Sequence, residues 1–148
     1  MDREPGKYFP AASSGQNGSD MDNDFVIFRL AEIYLIKAEA EMRMPGGNTA
    51  DALALVNMLR ARAYGNSSHA LASLTLPVLL QEKGREMAME GVRRDDLIRY
   101  EITDGIKYFT GPRTVGAKAQ DPDDHWMVFP IPSVQITANA NLVQNPGY

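Results

Sequence analysis

The chain has 148 residues, with 15 Lys and Arg against 19 Asp and Glu, a net charge of −4 and an isoelectric point near 5.1. That length supports one domain with a real core rather than two, and the acidic balance argues against nucleic acid as a partner, which needs a basic excess. There is no cysteine, which excludes disulfides, thiolate zinc sites, cysteine nucleophiles and cysteine-linked lipid within these residues.

No apolar run approaches the roughly 20 residues that span a bilayer as a helix, and the opening "MDREPGKYFP" lacks an apolar signal core. Residues 1–24 contain "AASSGQNGSDMDND", rich in Gly, Ser, Asn and Asp. Such a stretch buries too little apolar area to offset its ordering entropy, so a flexible N-terminal segment is expected over 1–24 and a helical domain over 25–148.

In "DFVIFRLAEIYLIKAEAEMRM", Ile27, Leu30, Ala31, Tyr34, Leu35, Ala38 and Met42 recur at steps of three and four. This predicts a helix with one apolar stripe, capped by Asp24 and stopped by Pro45, Gly46 and Gly47. Ile33, Ile36 and Ala40 form a second stripe, which predicts cover on more than one side. Asn48 and Asp51 resemble a weak capping box for a second helix striped by Ala52, Leu55, Val56, Leu59 and Ala63. The connection is short, so the two helices are expected to fold back as an antiparallel αα-hairpin.

Residues 64–73, "YGNSSHALAS", read as a loop. Thr75 is expected to cap a third helix that accommodates Pro77 in its first turn and runs to about Gly91. Gly84 inside it costs about 1 kcal/mol relative to alanine, so this helix is expected to depend on tertiary packing. From Glu101 to Asp124 the glycines and prolines at 105, 111, 112, 116 and 122 interrupt any periodicity and predict a long loop. "HWMVFPIP" predicts a short extended run, and Ser133 a cap for one helical turn. The expected fold class is all-α: a helix pair, a further helix and long irregular C-terminal loops.

Glu82, Glu86 and Glu90 stand four apart on one face of the third helix. Neither His69 nor His125 falls at helical spacing to them, and a glycosidase needs its carboxylates on opposite sides of a sugar ring. Arg60, Arg62, Arg85, Arg93, Arg94 and Arg99 lie near in sequence, so a structural ion-pair network is expected, with no metal and no cofactor. Asp96, Leu97 and Ile98 are expected to carry the chain from the helix end into the core, with Arg93 and Arg99 tying it down. Asn57 is expected to hydrogen-bond the backbone of a neighbouring loop, with ligand contact as the competing role. No "GxSxG" elbow, phosphate loop or dinucleotide fingerprint is present, so no enzyme is expected.

"FRLAEIYLIKAEAEMR", "ALALVNMLRARA", "LLQEKGREMAMEGVRRDDLIRY", "FPIP" and "NLVQNPGY" occur in an order and spacing that resembles the SusD/RagB family, the starch-utilisation-type glycan-binding lipoproteins of Bacteroidetes. The resemblance runs from about Asp24 to Tyr148 and looks like the C-terminal part of a longer family member. Signal peptide, lipidated cysteine and most N-terminal repeats are not among these residues, so the chain reads as a fragment, a cloned domain or a truncated relative. Ala140, Asp95 and Gly84 depart from the family's usual proline, aromatic and arginine.

The resemblance implies tetratricopeptide-like helix pairs, placement at the extracellular face of the outer membrane against a TonB-dependent transporter of the SusC type, and capture of oligosaccharides without catalysis. Leu30, Tyr34, Ala38, Ala52 and Leu53 lie at intervals similar to one such pair. A repeat of this kind buries its faces only when stacked, so exposed apolar surface or self-association is expected. Sugars pack their C–H faces on aromatic rings, which makes Trp126, Tyr108 and Phe109 in the long loop the candidate ligand contacts, with cover of a core edge as the competing role for Trp126. Two function classes follow: a glycan-binding part of a SusC/SusD-type uptake complex, or a structural and protein-interaction module without a sugar site.

Overall fold

Five α-helices and one 3-10 turn make up the regular structure of the described residues, 26–109 and 124–148 of the computed structural model, and no strand occurs among them. In chain order they are α1 (Leu30–Arg43), α2 (Thr49–Tyr64), α3 (Leu76–Glu86), α4 (Arg93–Asp104), the 3-10 turn (His125–Met127) and α5 (Ser133–Ala138). The expected segment 1–24, with Asp24 as the expected cap of the first helix, and the middle of the expected long loop lie outside the described residues.

α1 begins at Leu30, later than its apolar stripe predicts. Arg29 is extended at the N-cap, with φ −144° and ψ 157°. Two features explain the late start: Val26, Ile27 and Phe28 are weak helix formers, and the Arg29 guanidinium is held by Glu86 at the far end of α3 and by Glu90 in the turn beyond it. Ile27 and Leu30 are accordingly exposed, while Ala31, Leu35 and Ala38 carry the stripe into the core. The second stripe stays uncovered by the described residues, with Ile33 at 50% and Ile36 at 48% exposure.

The turn to α2 takes five residues, Met44–Asn48. A Cβ on Gly47 would stand 2.0 Å from the Glu41 carbonyl oxygen, so only glycine fits there. Asn48 caps α2 by accepting from the Ala50 N–H at 3.0 Å, while its own N–H donates to the Glu41 carboxylate at 3.1 Å. Glu41 thus takes the part that the capping-box pattern gives to Asp51. Ala52, Val56 and Leu59 meet Ala31, Leu35 and Ala38, and the small alanines let the helices approach closely. This α1–α2 hairpin, the expected tetratricopeptide-like pair, is the most extensive helix contact, and α3 closes the core with Leu79.

α3 starts as expected, with the Thr75 hydroxyl accepting from Val78 N–H at 3.4 Å and Pro77 in the first turn. It stops at Glu86 rather than near Gly91, and a separate helix, α4, replaces the expected passage into the core and the start of the long loop. The reason is tertiary. Arg29 donates to the Glu86 carbonyl and contacts Met87 Sδ at 3.1 Å, which caps the helix end from outside, and Met87 is buried. Met89 and Gly91 then turn the chain at positive φ, 66° and 82°. Gly84 has a packing role: a Cβ there would stand 2.6 Å from Arg93 Nη1, which donates to the Leu80 carbonyl at 2.6 Å. The glycine makes room for α4's arginine to lie on α3.

Residues 125–127 form a 3-10 turn where an extended run was expected, and extension begins at Val128, with φ −113° and ψ 154°. Ser133 is the first residue of α5 rather than its cap, and Pro132 holds the cap position. A proline with its fixed φ suits a helix entrance, which explains the one-residue offset.

Candidate functional site

The carboxylate row is a joint, although only Glu82 and Glu86 lie on α3, and Glu90, expected on the same helix face, stands in the turn that follows it. Glu82 accepts from Arg60 Nη1 at 2.8 Å and from Arg85, Glu86 from Arg29 and Arg62, and Glu90 from Arg29 Nε at 2.7 Å. One row of acids thereby binds the entrance of α1 and the end of α2 to α3. Between α3 and α4, Lys83 donates to Asp96 at 2.8 Å with both side chains 7% exposed, and Arg99 joins Asp96 at 3.0 Å. Arg93 ties α4 to a carbonyl rather than to a carboxylate. No group of three or more His, Asp or Glu residues suited to a metal ion occurs among the described residues.

Glu39 on α1 receives both Arg99 and Arg43, and Arg43 continues to Asp104 at 2.7 Å. Burial alone would raise the Glu39 pKa, but the hydrogen bonds from Arg99 and Arg43 outweigh it and hold the carboxyl below its usual range. The Tyr100 ring lies beneath Arg43 and Arg99, at 4.6 and 4.9 Å, and burial followed by the Glu39 charge raises its hydroxyl pKa. Asn57 does what its position predicts: its amide donates to the Leu71 carbonyl at 3.0 Å and accepts from the Leu71 N–H at 2.7 Å.

The three candidate aromatics separate into two groups. Tyr108 turns inward, edge-on to Tyr100 with centroids 6.1 Å apart, and its buried hydroxyl finds no hydrogen-bond partner among the described residues. Burial, then the charge of Asp104, raises its pKa. Phe109 and Trp126 instead meet at Arg94. Phe109 donates its N–H to Glu101 at 2.6 Å and places its ring 5.2 Å from the Arg94 guanidinium. Trp126 is half-buried in the 3-10 turn, edge-on to His125 at 5.7 Å, and its carbonyl accepts from Arg94 Nη2 at 2.8 Å.

Two participants escape sequence reasoning. Phe129 stacks 4.2 Å from the same guanidinium, and the "QNPGY" end clamps the segment before α5. Gln144 bonds both backbone groups of Ile131, at 2.8 and 2.9 Å, Asn145 donates to the Phe129 carbonyl at 2.7 Å, and the Tyr148 hydroxyl donates to the Val128 carbonyl at 3.0 Å. Side-chain amides thus serve residues 128–131 as a neighbouring strand would. The only sequence signal for this is the Asn, Gln and Pro content of the terminus, which has no period.

The SusD family model matches residues 5–148. The chain belongs to the SusD family. Among its relatives, the starch-binding protein SusD of Bacteroides thetaiotaomicron is 36% identical over 127 residues, covering 86% of this chain and 22% of that protein. SusD-like protein P2 of Formosa agariphila is 29% identical over 153 residues, 96% of this chain and 30% of the relative. SusD-like protein P25 of the same organism is 29% identical over 137 residues, 83% and 24%. The chain therefore spans between 22% and 30% of the length of these curated relatives. A tetratricopeptide-like pair buttressed by an arginine-carboxylate joint is what this stretch of the SusD family looks like here. No helix among the described residues is long and apolar enough to cross a membrane.

Proposed function

We propose that the chain is a non-catalytic part of a cell-surface glycan-capture protein, working at the outer membrane beside a TonB-dependent transporter of the SusC type. The observation that carries this reading is the similarity, over 86% of the chain, to a protein named for starch binding. The site chemistry is consistent with binding alone. Glu82, Glu86, Glu90 and Asp96 are all engaged by arginine or lysine side chains, which gives these carboxyls a structural pairing role. Phe109 and Trp126 at the Arg94 junction are the proposed aromatic contacts, with Tyr108 as a buttress behind them.

A second reading, a structural module that docks to protein, draws on the exposed apolar residues of α1, among them Ile33 and Ile36. Calorimetry against a panel of oligosaccharides, beginning with maltoheptaose, separates the two. One or two rings and a few wet hydrogen bonds leave little surplus over the ordering of a flexible sugar, so dissociation constants of about micromolar to millimolar are expected. Trp126→Ala and Phe109→Ala should weaken binding, and Tyr108→Ala should act mainly on stability. Failure of the folded parent to bind any glycan decides for the structural module.

A further inference from the structure

Two rows of side chains run side by side along the outer face of α4. Arg94, Ile98 and Ile102 stand at intervals of four, and Asp95, Arg99 and Thr103 repeat that interval one position on, so each set lines up along the helix. Met127 of the 3-10 turn faces them across a groove of about 360 Å³. Arg94 is the strut that sets its width: rooted on α4, it donates to the carbonyls of Trp126 and Met127 at 2.8 and 3.1 Å, with Phe129 stacked against its plane.

The rows differ in chemistry. Ile102 is 71% exposed and, with Ile98 and Met127, gives the groove an apolar strip. On the other row Asp95 is exposed and makes no ion pair or hydrogen bond among the described residues. Arg99 uses three N–H bonds on Glu39 and Asp96, so two of its five remain. The Thr103 hydroxyl donates to the Arg99 carbonyl and keeps its acceptor lone pairs.

This combination selects its ligand. An anion would meet the Asp95 carboxylate, a cation the two guanidiniums, and a wholly apolar group would desolvate Asp95 without replacing its hydrogen bonds to water. A neutral chain with a C–H face and a rim of hydroxyls satisfies both rows. We infer that this groove is an oligosaccharide subsite, in which sugar rings lie along α4 with their C–H faces on Ile98, Ile102 and Met127. Asp95 accepts from ring hydroxyls and Arg99 donates to them. The row from Asp95 to Thr103 rises about 12 Å along the helix, a length that fits a short oligosaccharide rather than one ring. The inference rests on the glycan-capture reading and moves the main contact surface from the aromatic rings to the face of a helix.

The test titrates the 148-residue chain with maltoheptaose, cellohexaose and xylohexaose. Binding is followed by heat and by emission of Trp126, the single tryptophan, which adjoins Met127. Asp95→Ala and Ile102→Ser change exposed side chains and are expected to lower the melting temperature by a few degrees at most, Asp95 giving up a first-turn helix contact. Each should weaken the affinity for the bound glycan about tenfold, while Asp95→Asn, whose amide oxygen still accepts, should recover part of the loss. Added salt should leave the affinity of a neutral ligand nearly unchanged. Parent-like binding by both surface variants overturns the groove and leaves glycan capture standing. Loss of binding in Trp126→Ala alone returns the site to the aromatic ring. A folded parent that binds none of the three glycans removes the groove together with the capture reading.

Discussion

The helical body up to Asp104 and the segment from Asp124 to Tyr148 are held together by different physics. In the body, Leu35, Ala38, Ala52, Val56 and Leu79 are no more than 1% exposed, and Lys83 and Asp96 are buried as a pair. In the closing segment no residue is buried, and among the described residues it is held by Arg94, Gln144, Asn145 and Tyr148 bonding backbone groups, by Phe129 stacked on Arg94 and by Lys107 paired with Asp124. Burying one aliphatic side chain contributes about 1.5–3 kcal/mol, whereas one intramolecular hydrogen bond contributes about 0.5–1.5 kcal/mol net. The body therefore unfolds as a unit, and the closing segment can open by itself.

The largest test of that contrast is Asp96→Ala, which leaves the Lys83 ammonium buried without its 2.8 Å partner. A loss of about 3–5 kcal/mol in urea unfolding is expected. A loss below about 1 kcal/mol would mean that water reaches the lysine and that the joint is not part of the cooperative core. The second test is acid. Because the folded Glu39 carboxyl is held below its ordinary value of 4.5, it binds a proton less readily folded than unfolded. Its stabilisation is thus present above that ordinary value and is lost as pH falls through the lower folded value. Thermal midpoints should be level from neutrality to about pH 5 and decline below it, less steeply in Glu39→Gln, and an unchanged slope in that variant removes Glu39 as the cause.

The smallest effect belongs to the closing segment. Gln144→Ala should leave the global midpoint within about 0.5 kcal/mol. Exchange of the Ile131 amide, which Gln144 accepts at 2.8 Å, should quicken roughly fivefold, the equivalent of about 1 kcal/mol of local opening. A matching drop in the global midpoint would show that this segment unfolds with the body.

Legibility in the sequence follows the same division. Helices that bury an aliphatic stripe announce themselves: Leu35, Ala38, Val56 and Leu59 are core residues both by period and by burial. The acidic row of α3 and the turn after it is also readable as a network, because arginines outnumber any alternative partner for it. α4 is missed although Asp95 and Asp96 occupy its first turn and Gly105 follows its end, both recognised helix signals. Its dense charge hides the period, since its buried positions are Asp96, Tyr100 and Glu101 rather than aliphatics. The end of α3 was unreadable for a different reason, because Arg29 sets it from 57 residues away. At the candidate site the aromatics could be named from composition, but which of them meet was decided by Arg94, and no local pattern predicts where an arginine will stack.

Arg29 also bears on the order in which the molecule assembles. Its bonds to Glu86 and Glu90 span 57 and 61 positions, whereas α1 and α2 are separated by a turn of five residues. Closing a short turn costs little chain entropy, so the α1–α2 hairpin pairs early, and the arginine engages only after α3 has docked. An interaction absent from the folding barrier acts on escape rather than entry. Removal of the Arg29 guanidinium should shorten the lifetime of the native chain while leaving refolding nearly as fast, which makes this residue a kinetic lock on a helix pair that forms without it.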